Sequence, residues 1–242
     1  MALLSGRHGE QLLDGIRLEG LEHLEAAQRS TRDGGVILLT AHFGSWEAAG
    51  AALARAGIPL SVVHHGFENP FIGRMVTDWR RSSGMQTLEL GSAGLGAVRA
   101  LRHRRVVAML FDQNAGRSEG RFVPFFGLEA STRAGPALLA MRFGVPVVPA
   151  FFFREGDGPR HVARVRPALE IEPAGDDPEG ALYRNLCRMN QAIEDAVREA
   201  PDQWTWIHKR WKTRPEGEPR ALYPSRHRLR RALRRWRGAR RG

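Results

Sequence analysis

Short apolar runs alternate with amphipathic stretches along most of this chain. Val36-Ile37-Leu38-Leu39, Leu60-Ser61-Val62-Val63, Val106 to Phe111 and Val145 to Phe153 are of strand length and close to continuously apolar. That is the pattern of buried strands. Val162 to Ile171 alternates apolar and polar residues, as a strand near a sheet edge does. Helical spacing recurs between these runs. Leu18, Leu21, Leu24 and Ala27 mark an amphipathic helix within the polar residues 1–34, and an alanine-rich stretch, 48–56, ends at Gly57. Asn69-Pro70 opens a helix reaching about Ser83 before Gly84, with Phe71, Met75 and Val76 on its apolar side. Val98 and Leu101 belong to another, and Leu182, Leu186, Met189, Ile193 and Val197 set a long one over 179–200. Strands joined by crossovers of about 10 to 20 residues predict an α/β fold with a mostly parallel sheet flanked by helices. No repeat or linker breaks this order, so residues 1–216 read as one domain and 217–242 as a basic tail.

Charge sharpens that division. The net charge is +11, but nine arginines and no acid lie between Arg226 and Gly242. Without them the balance is 28 basic against 26 acidic side chains. Within the tail, Leu229, Ala232, Leu233 and Trp236 have helical spacing amid arginines, the composition of an interfacial helix on anionic lipid. A disordered tail and a nucleic-acid arm are the competing readings, the second ranked last. No run approaches the roughly 18 apolar residues of a membrane span, and the N-terminus lacks a signal-peptide core, so a cytoplasmic protein is expected. A lone cysteine, Cys187, excludes an internal disulfide framework and reads as a buried helix residue.

The candidate chemistry centres on Thr40-Ala41-His42-Phe43-Gly44-Ser45-Trp46-Glu47, where a strand turns into a helix. Residues five apart on a continuous helix are rotated by about 140°, so a His42–Glu47 pair requires His42 in the bend and Glu47 turned back from the first helical turn. Ser45 is the expected cap there. An imidazole held by a carboxylate is a general base; a capped helix with a structural histidine is the other reading. Asp112-Gln113 ends the 106–111 strand, and His42 and Asp112 share one sheet edge if the two strands are parallel neighbours. Residues 114–120 read as a mobile loop before Phe122-Val123-Pro124-Phe125-Phe126-Gly127, either an apolar wall or core packing. Ser131 or Thr132 is expected to cap the next helix with Arg133 in its first turn, placing Thr132 and Arg133 to hold an anionic head group. Gly91 to Gly96 lacks phosphate-loop spacing and reads as a tight turn, and His64-His65 has no further metal ligand at suitable spacing. Trp204 to Trp211 alternates aromatic and basic residues, with His208 and Arg210 directed toward phosphate or a membrane surface. Arg80 and Arg81, near the end of their helix, fit a solvated face.

The segment HFGSWE after a strand resembles the His-x4-Asp/Glu motif of the bacterial lipid A biosynthesis acyltransferases. The resemblance continues through Asp112-Gln113, Phe122 to Gly127, Thr132-Arg133-Ala134-Gly135-Pro136, Gly144-Val145-Pro146-Val147-Val148-Pro149 and Pro201 to Lys212, covering roughly residues 18 to 216. It implies a glycerol-3-phosphate acyltransferase type of fold and acyl transfer from an acyl thioester, acyl carrier protein above all, to a lipid hydroxyl. In that reading His42 is the base and Glu47 orients it, and Arg80 is an active-site arginine. Backbone N–H groups near Gly44 or an arginine would hold the oxyanion. Arg80 and Arg133 bind phosphates, and no cofactor or metal is needed. The acceptor is a lipid A precursor or another glycolipid or lysophospholipid, and the enzyme sits peripherally on the cytoplasmic face of the inner membrane. A non-catalytic, tail-driven lipid or nucleic-acid binder is the rival, and thioester hydrolysis a third outcome. Ser45 departs from the family's usual Asn. The family's N-terminal hydrophobic helix would precede Met1, which leaves open whether the chain is truncated.

Overall fold

A computed structural model of the chain describes residues 13–64, 66–89, 93–156, 158, 160–218 and 223. The tail over 226–242, with its interfacial-helix reading, lies outside them, as do Met1 to Leu12 and Gly91-Ser92.

The elements in chain order are β1 (Ile16–Glu19), α1 (Leu21–Arg29), β2 (Val36–Thr40), α2 (Trp46–Arg55), β3 (Leu60–His64), α3 (Pro70–Ser82), β4 (Gln86–Glu89) and α4 (Ala93–Arg102). Then follow β5 (Val106–Leu110), β6 (Gly120–Phe125), β7 (Leu128–Arg133), α5 (Gly135–Phe143), β8 (Val147–Arg154), β9 (His161–Val165) and α6 (Pro178–Glu199), closed by a 3-10 turn, Pro201–Gln203. Seven strands form one sheet in the order β1-β9-β8-β2-β5-β3-β4. All neighbours are parallel except β8 and β9.

The apolar runs explain this layering. Val36 and Leu38 pack with Leu24, Leu53, Val106 and Val148 on one face, while Ile37 and Leu39 pack with Val107, Leu186, Met189 and Ile193 on the other. A strand covered on both faces has no polar side, which is why its sequence does not alternate. Helix starts follow local chemistry: the Asn69 side chain accepts from the Phe71 and Ile72 N–H groups, and Asp177 accepts from Gly180.

Four expectations change. The first amphipathic segment splits at Gly20 (φ 74°), so Leu18 belongs to β1 and only Leu21 onward is helical. Strand β9 ends at Val165 and lies inside the sheet, with β1 as the true edge, because β1 pairs with it in parallel. The block from Phe122 forms a separate antiparallel hairpin, β6–β7, whose turn residues Phe126 (φ 50°) and Gly127 (φ 73°) both take the left-handed conformation. That conformation is unfavourable for phenylalanine; the Phe126 N–H donates to Glu194 at 2.7 Å and its ring packs on Phe125 at 5.0 Å. Phe125 is fully buried, so this block is core. Residues 114–116 are tied down: the Asn114 amide donates to Thr213 at 3.0 Å and the Ala115 N–H to the Ser131 carbonyl at 3.0 Å.

Candidate active site

Strands β2 and β5 are parallel neighbours with Thr40 opposite Leu110, so His42 and Asp112 stand level, each two residues past the paired end. The bend after β2 is built on Gly44 (φ 54°), where a Cβ would collide with the Phe152 carbonyl. The chain after α6 returns to this bend. Phe43 and Trp204 form an antiparallel bridge, the Gly44 N–H donates to the Gln203 carbonyl at 2.8 Å, and Thr205 donates to the His42 carbonyl at 3.0 Å. The remote segment 203–205 is thereby locked to the end of β2.

Asp112 is the anchor of the cluster. Its carboxylate is fully buried and accepts the His42 N–H at 2.9 Å, the Trp204 indole N–H at 2.8 Å and His42 Nδ1 at 2.8 Å. Burial by itself raises its pKa; the hydrogen bond and charge of His42 and the Trp204 bond outweigh that, and it stays below the ordinary value. An ionised Asp112 only accepts, so Nδ1 of a neutral His42 carries the proton and Nε2 holds the lone pair. Gln113 Nε2 lies 3.2 Å from His42 Nε2 and 3.2 Å from His208 Nε2, so one amide NH2 serves both rings. The His208 ring sits 4.7 Å from that of His42. Burial, then the neighbouring His42 charge, lower the pKa of His208, and Asp112 only partly compensates.

Glu47 occupies the first turn of α2 as expected, but the carboxylate bonded to the imidazole is Asp112. Glu47 is instead gripped by Arg80, through Nε at 3.0 Å and a short bond from Nη2. Ser45 precedes α2 without a side-chain capping bond. Arg80 is buried, not a solvated residue, and its Nη1 is enclosed with no acceptor among the described residues. The Gly44 N–H is consumed by Gln203 and is not an oxyanion donor.

A cleft of about 720 Å³ opens at this sheet edge. His42, Gln113, Glu47 and Arg80 stand on its wall with Val63, Phe67, Met109, Phe111 and Leu139, so polar groups cluster at one part of an apolar groove. Arg133 also lines it, paired with Glu119 at 2.7 Å.

Two expected ligand residues lie elsewhere. Thr132 is in β7 rather than at a helix start, because α5 begins only at Gly135, and it is fully buried. Arg210 is fully buried too: it donates to the Ser131 carbonyl at 2.7 Å, to the Thr132 hydroxyl and to Asn190 Oδ1 at 3.3 Å, and it lies 5.0 Å over Phe125. Burial pulls its guanidinium down to about 10. It braces the hairpin against α6 and reaches neither phosphate nor a membrane. Sequence reasoning missed Trp204 as the indole donor to Asp112; its place in the aromatic block was the only available signal. Cys187 is half-buried on α6, and burial raises its pKa. Among the described residues no group of three or more His, Cys, Asp or Glu side chains is arranged to hold a metal ion.

Comparison with known proteins places this geometry in context. The family described as bacterial lipid A biosynthesis acyltransferase matches residues 4–213. The lipid A biosynthesis lauroyltransferase of Escherichia coli is 33% identical over 201 residues, and the palmitoleoyltransferase of the same organism 31% over 202. Each of these alignments covers 83% of this chain and 63% of the relative, so the chain spans less than two thirds of their length. A phosphatidylinositol mannoside acyltransferase of Mycolicibacterium smegmatis is 29% identical over 228 residues, 91% of this chain and 69% of the relative.

Proposed function

This chain belongs to the bacterial lipid A biosynthesis acyltransferase family, and from that premise we propose that it moves a fatty acyl group from an acyl thioester to a hydroxyl of a membrane glycolipid. Acyl carrier protein is the proposed donor and a lipid A precursor the proposed acceptor, at the cytoplasmic face of the inner membrane. The observation that carries the reading is the His42 imidazole, held through Nδ1 by Asp112 on the wall of an apolar cleft.

In this mechanism the acceptor hydroxyl displaces the Gln113 amide from His42 Nε2. Nε2 takes the hydroxyl proton as the oxygen attacks the thioester carbonyl. Asp112, already ionised, stabilises the imidazolium, and the tetrahedral intermediate collapses by expelling the thiolate, which accepts that proton. Glu47 keeps a place in the motif with a different partner: fixed by Arg80, it holds the polar part of the acceptor beside His42. The first N–H groups of α2 are the proposed oxyanion donors. The apolar wall takes the acyl chain, each buried methylene contributing about 0.8 kcal/mol. Arg133, at the cleft margin, is proposed to bind an anionic head group.

The acceptor is stated as a glycolipid because the relatives' names include both lipid A and phosphatidylinositol mannoside enzymes. The test incubates the protein with acyl-carrier-protein or acyl-coenzyme A thioester and total membrane lipid, followed by mass spectrometry. An acylated lipid absent with His42→Ala supports the reading and identifies the acceptor. Free fatty acid without acylated lipid means that water is the acceptor, and the transferase reading fails.

A further inference from the structure

Apolar side chains that gain nothing from water are not spread evenly over this protein. Among the described residues, the three most exposed large hydrophobics are Ile207 (87%), Phe71 (84%) and Leu95 (83%). All three follow or border the carboxyl ends of strands at the sheet edge that carries His42. Phe71 opens α3 just after β3, Leu95 lies in the first turn of α4 after β4, and Ile207 precedes His208. Ile72, Met75 and Trp206 add exposed apolar surface beside them.

The patch adjoins the cleft through neighbouring residues of the same segments. Phe67 lines the cleft, and a Cβ at Gly73 of α3 would touch its side chain at 3.2 Å. Gly94, next to Leu95, also lines it, and His208 lies against His42. Cations outnumber acids around the patch: over residues 66–82, 94–102 and 201–212 the exposed cations are Arg74, Arg81, Arg99, Arg102, Lys209 and Lys212, against the exposed acids Glu68, Asp78 and Asp202. Exposed aliphatic and aromatic side chains among cations form the composition that settles in the boundary between anionic head groups and acyl chains. Single scattered apolar residues need no explanation; a set gathered around one cleft mouth does.

We propose that this sheet edge is a membrane-docking face: Phe71, Ile72, Leu95 and Ile207 enter an anionic leaflet, and the cleft mouth opens directly onto it. Resting on the lipid-acceptor reading above, this assigns the route by which the acceptor arrives. Its hydrocarbon passes from bilayer to apolar wall without crossing water. Docking here is separate from any contribution of residues 226–242.

Flotation of the full chain with vesicles of phosphatidylglycerol and phosphatidylethanolamine tests it, with the variant F71S/I72S/I207S alongside. The expected result is a fall in partition of at least about tenfold with an unchanged melting temperature. Unchanged partition overturns the proposal. Should the variant fail to fold, a nitroxide at I207C in a C187A background is compared with one at F143C, which precedes the opposite end of β8. On adding vesicles the label at 207 is expected to lose access to water-soluble nickel while that at 143 keeps it; equal access at 207 with and without vesicles overturns the proposal. Partition is read without turnover. Vesicle binding with no acylated lipid therefore refutes the proposed function alone, and acylated lipid with unchanged partition refutes only the docking face.

Discussion

Two polar clusters of this protein are built from the same kinds of residue and stand on neighbouring elements, yet they offer opposite chemistry. In one, Asp112, His42, Gln113 and His208 converge, with His42 and Gln113 on the wall of a cleft, and the partner of a basic side chain is an ionised carboxylate. In the other, Arg210, Thr132, Ser131 and Asn190 close on one another in the core, and the cation is met by neutral oxygens. The two share Gln113, whose side-chain amide serves the histidines while its backbone carbonyl lies 3.5 Å from Arg210 Nη1. One cluster has a lone pair facing a groove; the other turns its donors inward, Arg210 Nη1 and Nη2 onto oxygens and Nε enclosed with no acceptor among the described residues. A polar group is available for chemistry only where its hydrogen bonds can be exchanged.

The contrast is best broken at its extremes. His42→Ala should lower acyl transfer by roughly a thousandfold or more with only a modest fall in melting temperature, since the buried Asp112 carboxylate loses one donor and keeps the residue-42 N–H and the Trp204 indole. Equal losses of activity and stability would make His42 structural. Asp112→Asn should lower turnover by roughly a hundredfold or more, because an amide no longer enforces the Nδ1–H tautomer; full activity would return the orienting role to Glu47. Arg210→Met acts on the other side. It should cost about 3 kcal/mol in urea unfolding by leaving buried oxygens unpaired, while the surviving folded fraction turns over normally. Arg80→Lys keeps the charge but loses the two-point grip on Glu47, and about a tenfold drop in kcat/KM is expected without a matching loss of stability.

The smallest effect concerns His208. Its folded pKa is lowered, so as pH falls below 6.5 the unfolded chain takes up the proton first. Stability therefore declines toward acid through this group. Melting temperature followed from neutral to acidic pH should fall less steeply in His208→Gln than in the parent; identical slopes would remove His208 from the acid response.

Much of the fold was legible because its signals are local. Continuous apolar runs named β2, β3, β5 and β8, and Asn69 and Gly84 bounded α3, since caps and periodicity act over a few residues. The sheet edge bearing His42 and Asp112 was legible as well, because a parallel pairing of two adjacent strands leaves little choice. The site's partners were not. Glu47 is five residues from His42, yet the imidazole binds Asp112, which is 70 positions away. Thr132 and Arg133 read as a helix start because their neighbours suit one, while pairing with β6 held them in a strand.

By itself, then, the sequence determined the α/β class, the strand-to-helix bend at His42 and the family to which the chain belongs. Only the tertiary structure decided which carboxylate meets the imidazole, that Arg80 stands at the cleft while Arg210 is sealed in the core, and that Phe71, Leu95 and Ile207 stay exposed. Backbone preference and burial pattern are written along the chain. The bonding partner of a side chain depends on which distant segments the fold brings within about 3 Å, and on whether water can still reach them.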